Sequence, residues 1–387
     1  VKVAVIKLGA RISFNANDTS GANGEARSIC KMLHKGGAEV HIFTKILKKD
    51  TLVEDFRWHN LSEYSVWDAQ RAMALGYDAL VVLNGNVNFF GGAEDPEQLL
   101  NYVLLNNCHI PVFYIYCDPE LTLKQVWPSV SKKDWASNWA EEDLFVDRRD
   151  IIYLSQPFDV MQVMADINGK NEIKPDRVIH FPFEKFPCLN PQLPLNLNPE
   201  VDLSYGGTMR GGKREKKMVK FYFGHPSDIS VEMFGKIEAK DFDPKPIFGL
   251  RHPTFTGAVK YDEMLPKMNR AMAHVVIGDP YYEKINDMAQ RAYESIWSSV
   301  ITFIDADLDT ERRVYGSNKQ LADFLYVSSR EQVSEVIQLL KRDPAMRKQI
   351  VEEQIKTIDF DAEKYCKEFT DKIARIKTQW AEEFDKR

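Results

Sequence analysis

Along the chain, apolar residues switch between two spacings. VKVAVIKLG (residues 1–9) is a mostly apolar run that predicts a buried strand, and Glu25 to Lys35 carries helical spacing that closes on Gly36 and Gly37. EVHIFTK (39–45), DALVVLNG (78–85), PVFYIYCD (111–118), DIIYLSQ (150–156) and RVIHFPF (177–183) are further β-branched and aromatic runs, with PEQLLNYVLLNN (96–107) as a helix between two of them. Apolar strands separated by helices predict a parallel sheet covered on both faces.

The texture changes at PCLNPQLPLNLNP (187–199), where Pro and Asn support neither period and a linker is predicted. Alternation then restarts. VDLSYGG, ISVEMFG, HVVIGD and VITFID read as strands, and KREKKMVKFYFG, MLPKMNRAMA and MAQRAYESIW as helices. From Glu331 onward the chain is charged and helical, ending in the amphipathic KYCKEFTDKIARIKTQWAEEFDK. The predicted fold class is α/β, with two doubly wound domains facing a central cleft. The expected boundaries are 1–187, a linker at 188–200, 201–360, and a terminal helix at 361–387. In such a pair, ligands bind at the carboxyl ends of the sheets.

The 387 residues carry 51 basic and 57 acidic side chains, a net charge of -6, which argues against coating nucleic acid by bulk charge and leaves a local basic face open. Hydrophobic residues make up 44% of the chain, enough for two cores. Cys30, Cys108, Cys117, Cys188 and Cys366 show neither metal-ligand nor redox-motif spacing, and so read as reduced thiols of a cytoplasmic protein. No signal peptide or membrane span is expected.

Four stretches carry chemistry. YGGTMRGGKREKKM (205–218) packs four glycines and five Lys or Arg between a strand and a helix. Glycines let the backbone approach an anion, and Arg210 and Arg214 can grip a diphosphate bidentately; a tight turn with a solvated basic helix face fits equally well. Asp118 ends a strand where a general base would stand, or it caps a turn. Phe89 and Phe90 in NVNFFGG are placed to stack on a base or wedge into a duplex, unless the loop folds back on its core. Arg291 and Glu294 stand one turn apart on a helix after the strand ending at Gly278 and Asp279. They offer either a carboxylate for ribose hydroxyls or a simple ion pair. IDADLD (304–309) has the spacing of a metal motif but lacks flanking ligands, and a capping loop is favoured.

Together, VKVAVIKLG, NFFGG, SQP, YGGTMRGGKRE, MFG, FTG, VIGDPYY, RAYE and the closing helix resemble, in order, the T-even bacteriophage DNA β-glucosyltransferase family. The resemblance implies a GT-B fold with the C-terminal helix packing back toward the N-terminal domain. It also implies inverting transfer of a sugar from a uridine diphosphate donor to 5-hydroxymethylcytosine in duplex DNA, with the base flipped out. On it, Asp118 is the catalytic base. Glu25, Gly207, Thr208, Arg210, Arg214, Val259, Asp279, Tyr282, Arg291 and Glu294 bind the donor, Val259 where the backbone reads uracil. Asn88 and Phe90, with Phe89, enter the DNA; Lys132, Lys133, Arg148 and Arg149 join them on charge alone. UDP-glucose is the inherited donor. Pro119 and Glu120 replace the family's Ile-Arg, the loop before Glu25 differs, and one residue is inserted before Arg291, which leaves UDP-arabinose open. Mg2+ or Mn2+ could assist diphosphate release, although no ligand cluster stands in the sequence. The expected protein is a monomer in the infected bacterial host. Rivals are a GT-B enzyme acting on a small molecule or glycan, which leaves the NFFGG aromatics without a role, and an inactive DNA-binding relative, which has no use for the donor residues.

Overall fold

The structure is a computed structural model. It describes residues 1–7, 21–44, 56–60, 76–83, 111–115, 151–155, 178–182, 185, 192–209, 213–237, 249–278, 282–283, 288, 290–358 and 361–385. The chain forms two units, Val1–Phe183 with Asp361–Arg387, and Glu184–Phe360. No described helix is long and apolar enough to cross a membrane.

The first unit is built on a seven-stranded parallel sheet. Its strands are β1 (Lys2–Lys7), β2 (Glu39–Thr44), β3 (Arg57–Asn60), β4 (Ala79–Leu83), β5 (Val112–Ile115), β6 (Ile151–Ser155) and β7 (Val178–His180), in the order β3-β2-β1-β4-β5-β6-β7. Helix α1 (Gly21–Lys35) begins four residues before the predicted start and buries Ile29, Met32 and Leu33. Gly37 ends it at φ 89°, a left-handed value that favours glycine.

The last helix, here α8 (Ala362–Asp385), belongs to this unit. Cys366, Phe369 and Ile373 form its buried stripe at helical spacing. The Cys366 thiol donates to the Met32 carbonyl (3.1 Å), and the Phe369 ring lies 4.5 Å from that of Phe113. Burying one such phenylalanine contributes roughly 1.5–3 kcal/mol. Burial lifts the Cys366 thiol to about 11, so it stays protonated.

The second unit carries a six-stranded parallel sheet ordered β10-β9-β8-β11-β12-β13. The strands are β8 (Val201–Gly206), β9 (Val231–Phe234), β10 (Thr254–Thr256), β11 (Ala271–Val276), β12 (Ile301–Asp305) and β13 (Tyr326–Val327). Helices α2 (Lys213–Tyr222), α3 (Tyr261–Asn269), α4 (Gln290–Trp297), α5 (Lys319–Leu325), α6 (Arg330–Arg342) and α7 (Pro344–Ile358) complete it. The predicted helix 264–273 divides. Arg270 closes α3, and Ala271 to Ala273 enter β11, whose six residues are all buried.

Residues 192–200, predicted within a linker, are bonded to this unit. Leu193 N–H donates to Trp297 O (3.0 Å), Asn269 Nδ2 to Pro194 O (3.0 Å), and Asn196 Nδ2 to Asn269 O (3.1 Å). The buried Arg347 guanidinium reaches the carbonyls of Asn196 (2.9 Å) and Leu197 (3.1 Å). A Pro- and Asn-rich segment makes no ladder of its own, so its backbone groups find partners on the helices it crosses.

Candidate functional site

In a parallel sheet every carboxyl end points to one edge, and in the second unit several predicted donor residues follow strand ends or lie on the helices after them. Gly207 and Thr208 follow β8, and Arg214 lies in the first turn of α2. Val259 follows β10, Tyr282 follows β11, and Arg291 and Glu294 ride on α4. Arg210 and Asp279 lie outside the described residues.

The turn after β8 is shaped by glycine. Gly207 has φ 156° and Gly235, after β9, has φ 139°. A Cβ on Gly235 would stand 1.8 Å from the Gly207 carbonyl oxygen, so the two strand ends close to a distance that side chains forbid. Gly207 N–H donates to Phe234 O (3.0 Å) and Met209 N–H to Lys236 O (2.8 Å). Those amides are spent within the sheet, and any anion contact falls to other groups of the loop and to Arg214.

The basic face of α2 is not merely solvated. Lys217 Nζ lies 2.5 Å from Asp305 Oδ2 at the end of β12 and also meets Glu283, the neighbour of Tyr282. Lys220 adds Asp305 and Asp307, both at 3.6 Å. Burial pulls the Lys217 ammonium downward, but the two carboxylates outweigh it and hold its pKa above the ordinary lysine value. Asp305 neutralises lysines, while Asp309 accepts from the amides of Arg313 (2.9 Å) and Val314 (3.1 Å) and from Tyr326. Lys217 was visible in the sequence as part of a charge run; its partners, 66 and 88 residues away, were not.

On α4, Arg291 Nη1 stands 3.3 Å from Glu294 Oε2, and Glu294 is buried. The same guanidinium touches the sulfurs of Met264 and Met268. Those methionines, with Phe234 and Leu265, form a small apolar cluster on which Val259 packs. Under α4 lies a residue the sequence reading missed. His274 of β11 is fully buried, its ring stacked on Tyr205 at 6.2 Å. The Ser204 backbone approaches it, yet neither ring nitrogen reaches hydrogen-bond geometry. Burial, and then the Arg291 charge, depress its pKa to about 3, so the ring is neutral.

In the first unit Glu25 lies in α1. Asp118, which follows β5 in sequence, lies outside the described residues, as do Asn88, Phe89, Phe90, Lys132, Lys133, Arg148 and Arg149. Among the described residues no three His, Cys, Asp or Glu converge as metal ligands.

Two parallel, doubly wound units define a protein of the GT-B class. Residues 1–190 match the family model described as Bacteriophage T4 beta-glucosyltransferase. Over 357 residues the chain is 28% identical to the DNA beta-glucosyltransferase of Enterobacteria phage T4, covering 91% of this chain and 92% of that protein. It superposes on T4 phage BGT in complex with UDP and Mn2+ with a TM-score of 0.67 at 25% identity, over 96% of this chain and 99% of that one. An alpha-glucosyltransferase in complex with UDP and a 13-mer DNA shares the fold alone, with a TM-score of 0.53 at 14% identity over 96% and 99% of the two chains. The resemblance carried by the motifs is borne out: the chain is similar to the phage T4 DNA beta-glucosyltransferase in sequence and in fold.

Proposed function

We propose that the chain is a DNA glycosyltransferase that moves a sugar from a uridine diphosphate donor to the hydroxyl of 5-hydroxymethylcytosine in duplex DNA, inverting the anomeric centre. The observation that carries this reading is the likeness to the phage T4 DNA beta-glucosyltransferase over 91% of the chain, joined to the predicted donor residues that follow strand ends of the second sheet or lie on the helices after them.

In this reading the second unit holds the donor. Arg214, with Arg210, takes the diphosphate. Glu294 accepts from the ribose hydroxyls, and the backbone at Val259 meets the uracil edge. Gly207, Thr208, Asp279, Tyr282 and Arg291 complete the donor side, and Glu25 stands beside the sugar. The first unit supplies Asp118. Its carboxylate takes the proton of the hydroxymethyl O–H as that oxygen bonds to the anomeric carbon. The bond from this carbon to the diphosphate oxygen breaks, its electron pair leaves with UDP, and the arginines stabilise the charge. The target base leaves the stack at a cost of a few kcal/mol, and Phe89, Phe90 and Asn88, with Lys132, Lys133, Arg148 and Arg149, hold the opened duplex. Among the described residues no ligand set for a divalent ion converges.

The test is to incubate the protein with hydroxymethylated DNA and UDP-glucose or UDP-arabinose, digest to nucleosides and weigh the product. A hexosyl or pentosyl adduct on hydroxymethylcytosine, absent with Asp118→Ala, is expected. Transfer only to free sugars or glycans would overturn the reading.

A further inference from the structure

Glu232 is a buried carboxylate inside β9, two residues before Phe234. One of its oxygens, Oε1, accepts from Thr256 Oγ1 (3.1 Å) and from Lys267 Nζ (2.6 Å). Thr256 is the last residue of β10, and Lys267 belongs to α3, which starts at Tyr261. The four residues between these elements, 257–260, include Val259. A single carboxylate oxygen therefore holds both flanks of that loop. A third tie runs from Gly235 N–H to the Gly257 carbonyl (3.2 Å). The Lys267 ammonium also lies 5.8 Å from the centre of the Phe234 ring, a member of the cluster on which Val259 rests.

The residue type is not explained by folding alone. β10 is an edge strand of three residues, and a buried ion pair does not by itself favour a fold over apolar packing of the same volume. What the carboxylate does uniquely is fix the relative height of the end of β10 and the last turn of α3, the two elements between which 257–260 hangs. A loop that reads a base through its backbone must stand within a few tenths of an ångström, since hydrogen bonds weaken steeply outside their range.

We propose that Glu232 is a positioning residue for nucleobase recognition, holding 257–260 in register with the edge of a pyrimidine; this rests on the uridine diphosphate donor proposed above. Lys267 and Thr256 are the arms through which it acts.

UDP and CDP have rings of one size and differ at the edge the loop would read. Each is titrated calorimetrically into the wild-type protein, Glu232→Gln, Lys267→Met and Thr256→Val, with a thermal melt of every variant. Wild type is expected to prefer UDP. Equal binding of the two, or of neither, would fail the donor reading itself and leave the clamp without its role. Given that preference, Glu232→Gln and Lys267→Met should weaken UDP about tenfold, the effect of one lost hydrogen bond, while CDP changes little and the preference shrinks. Turnover at saturating donor should hold, so the loss appears in KM. An unchanged UDP-to-CDP ratio with a lowered melting temperature would show a purely structural ion pair and overturn the proposal. Should both charge variants fail to fold, Thr256→Val, which removes one hydrogen bond at an edge strand, decides by the same ratio.

Discussion

Arg291 Nη1 lies 3.3 Å from Glu294 Oε2, one turn along α4, while the same guanidinium rests on the sulfurs of Met264 and Met268. The carboxylate is thus buried beside a cation. Glu294→Gln is expected to lower UDP affinity by roughly 10- to 100-fold, since hydrogen bonds to a charged group are worth about 1.5–3 kcal/mol. Wild type should bind 2′-deoxy-UDP more weakly than UDP, and the variant should lose that distinction. A variant that still distinguishes them would take Glu294 off the ribose.

Lys217→Met should destabilise the second unit. It leaves Asp305, which is fully buried, with the longer Lys220 contact at 3.6 Å and the Asp307 amide at 3.4 Å. Removing one partner of a buried pair costs ~3–5 kcal/mol, and Lys220 reduces this to about 2. The Lys217 pKa is raised on folding, so its contribution is complete below the ordinary lysine value and fades only as pH climbs through the raised one. The wild-type minus variant difference should therefore be flat from pH 6 to 9, by urea melts. A difference that grows through neutral pH would point to another group.

His274 predicts acid sensitivity. Folding lowers its pKa from the ordinary 6.5 to about 3, so between those values the unfolded chain binds the extra proton. Stability from this group is whole above 6.5 and falls as pH drops, with a slope approaching about 1.4 kcal/mol per pH unit. His274→Leu should remove that slope between pH 6 and 4 and leave the slopes of the carboxylates. Parallel curves for both proteins would mean that the ring titrates normally.

Phe90→Ala should slow transfer on duplex DNA far more than on single strands, where unstacking costs least. Base–aromatic stacking is worth ~1–3 kcal/mol, which gives about a ten- to hundredfold loss on duplex. An unchanged rate ratio, or an equal loss on both with a lowered melting temperature, would return Phe90 to a packing role.

Most described strands were legible because a parallel strand buried on both faces must be written in apolar residues. VAVI, ALVV, VFYI and ITFID admit few other readings. The misses were at sheet edges. RWHN (β3) and TFT (β10) each have one strand neighbour and pair through backbone groups that leave no mark in composition. The candidate site divides the same way. YGGT and RAYE announce themselves through local spacing. Lys217, Glu232 and His274 matter through partners remote in sequence, and a charge or an imidazole carries no sign of whom it will meet. The Pro- and Asn-rich segment was legible as non-repetitive; that it is bonded to the second unit depended on Asn269, Arg347 and the end of α4.

The placement of α8 has a consequence for synthesis. A ribosome releases β1 through β7 first, then all of the second unit, and only afterwards the helix whose Cys366 and Phe369 close over Met32 and Phe113. The second unit, continuous in the chain, can fold as it emerges. The first must wait some 180 residues, about 10–40 s at 5–20 residues per second, with an apolar face uncovered. During that interval the nascent first half is a client for chaperones, and truncations that remove α8 should fail by aggregation of the older half, not the younger.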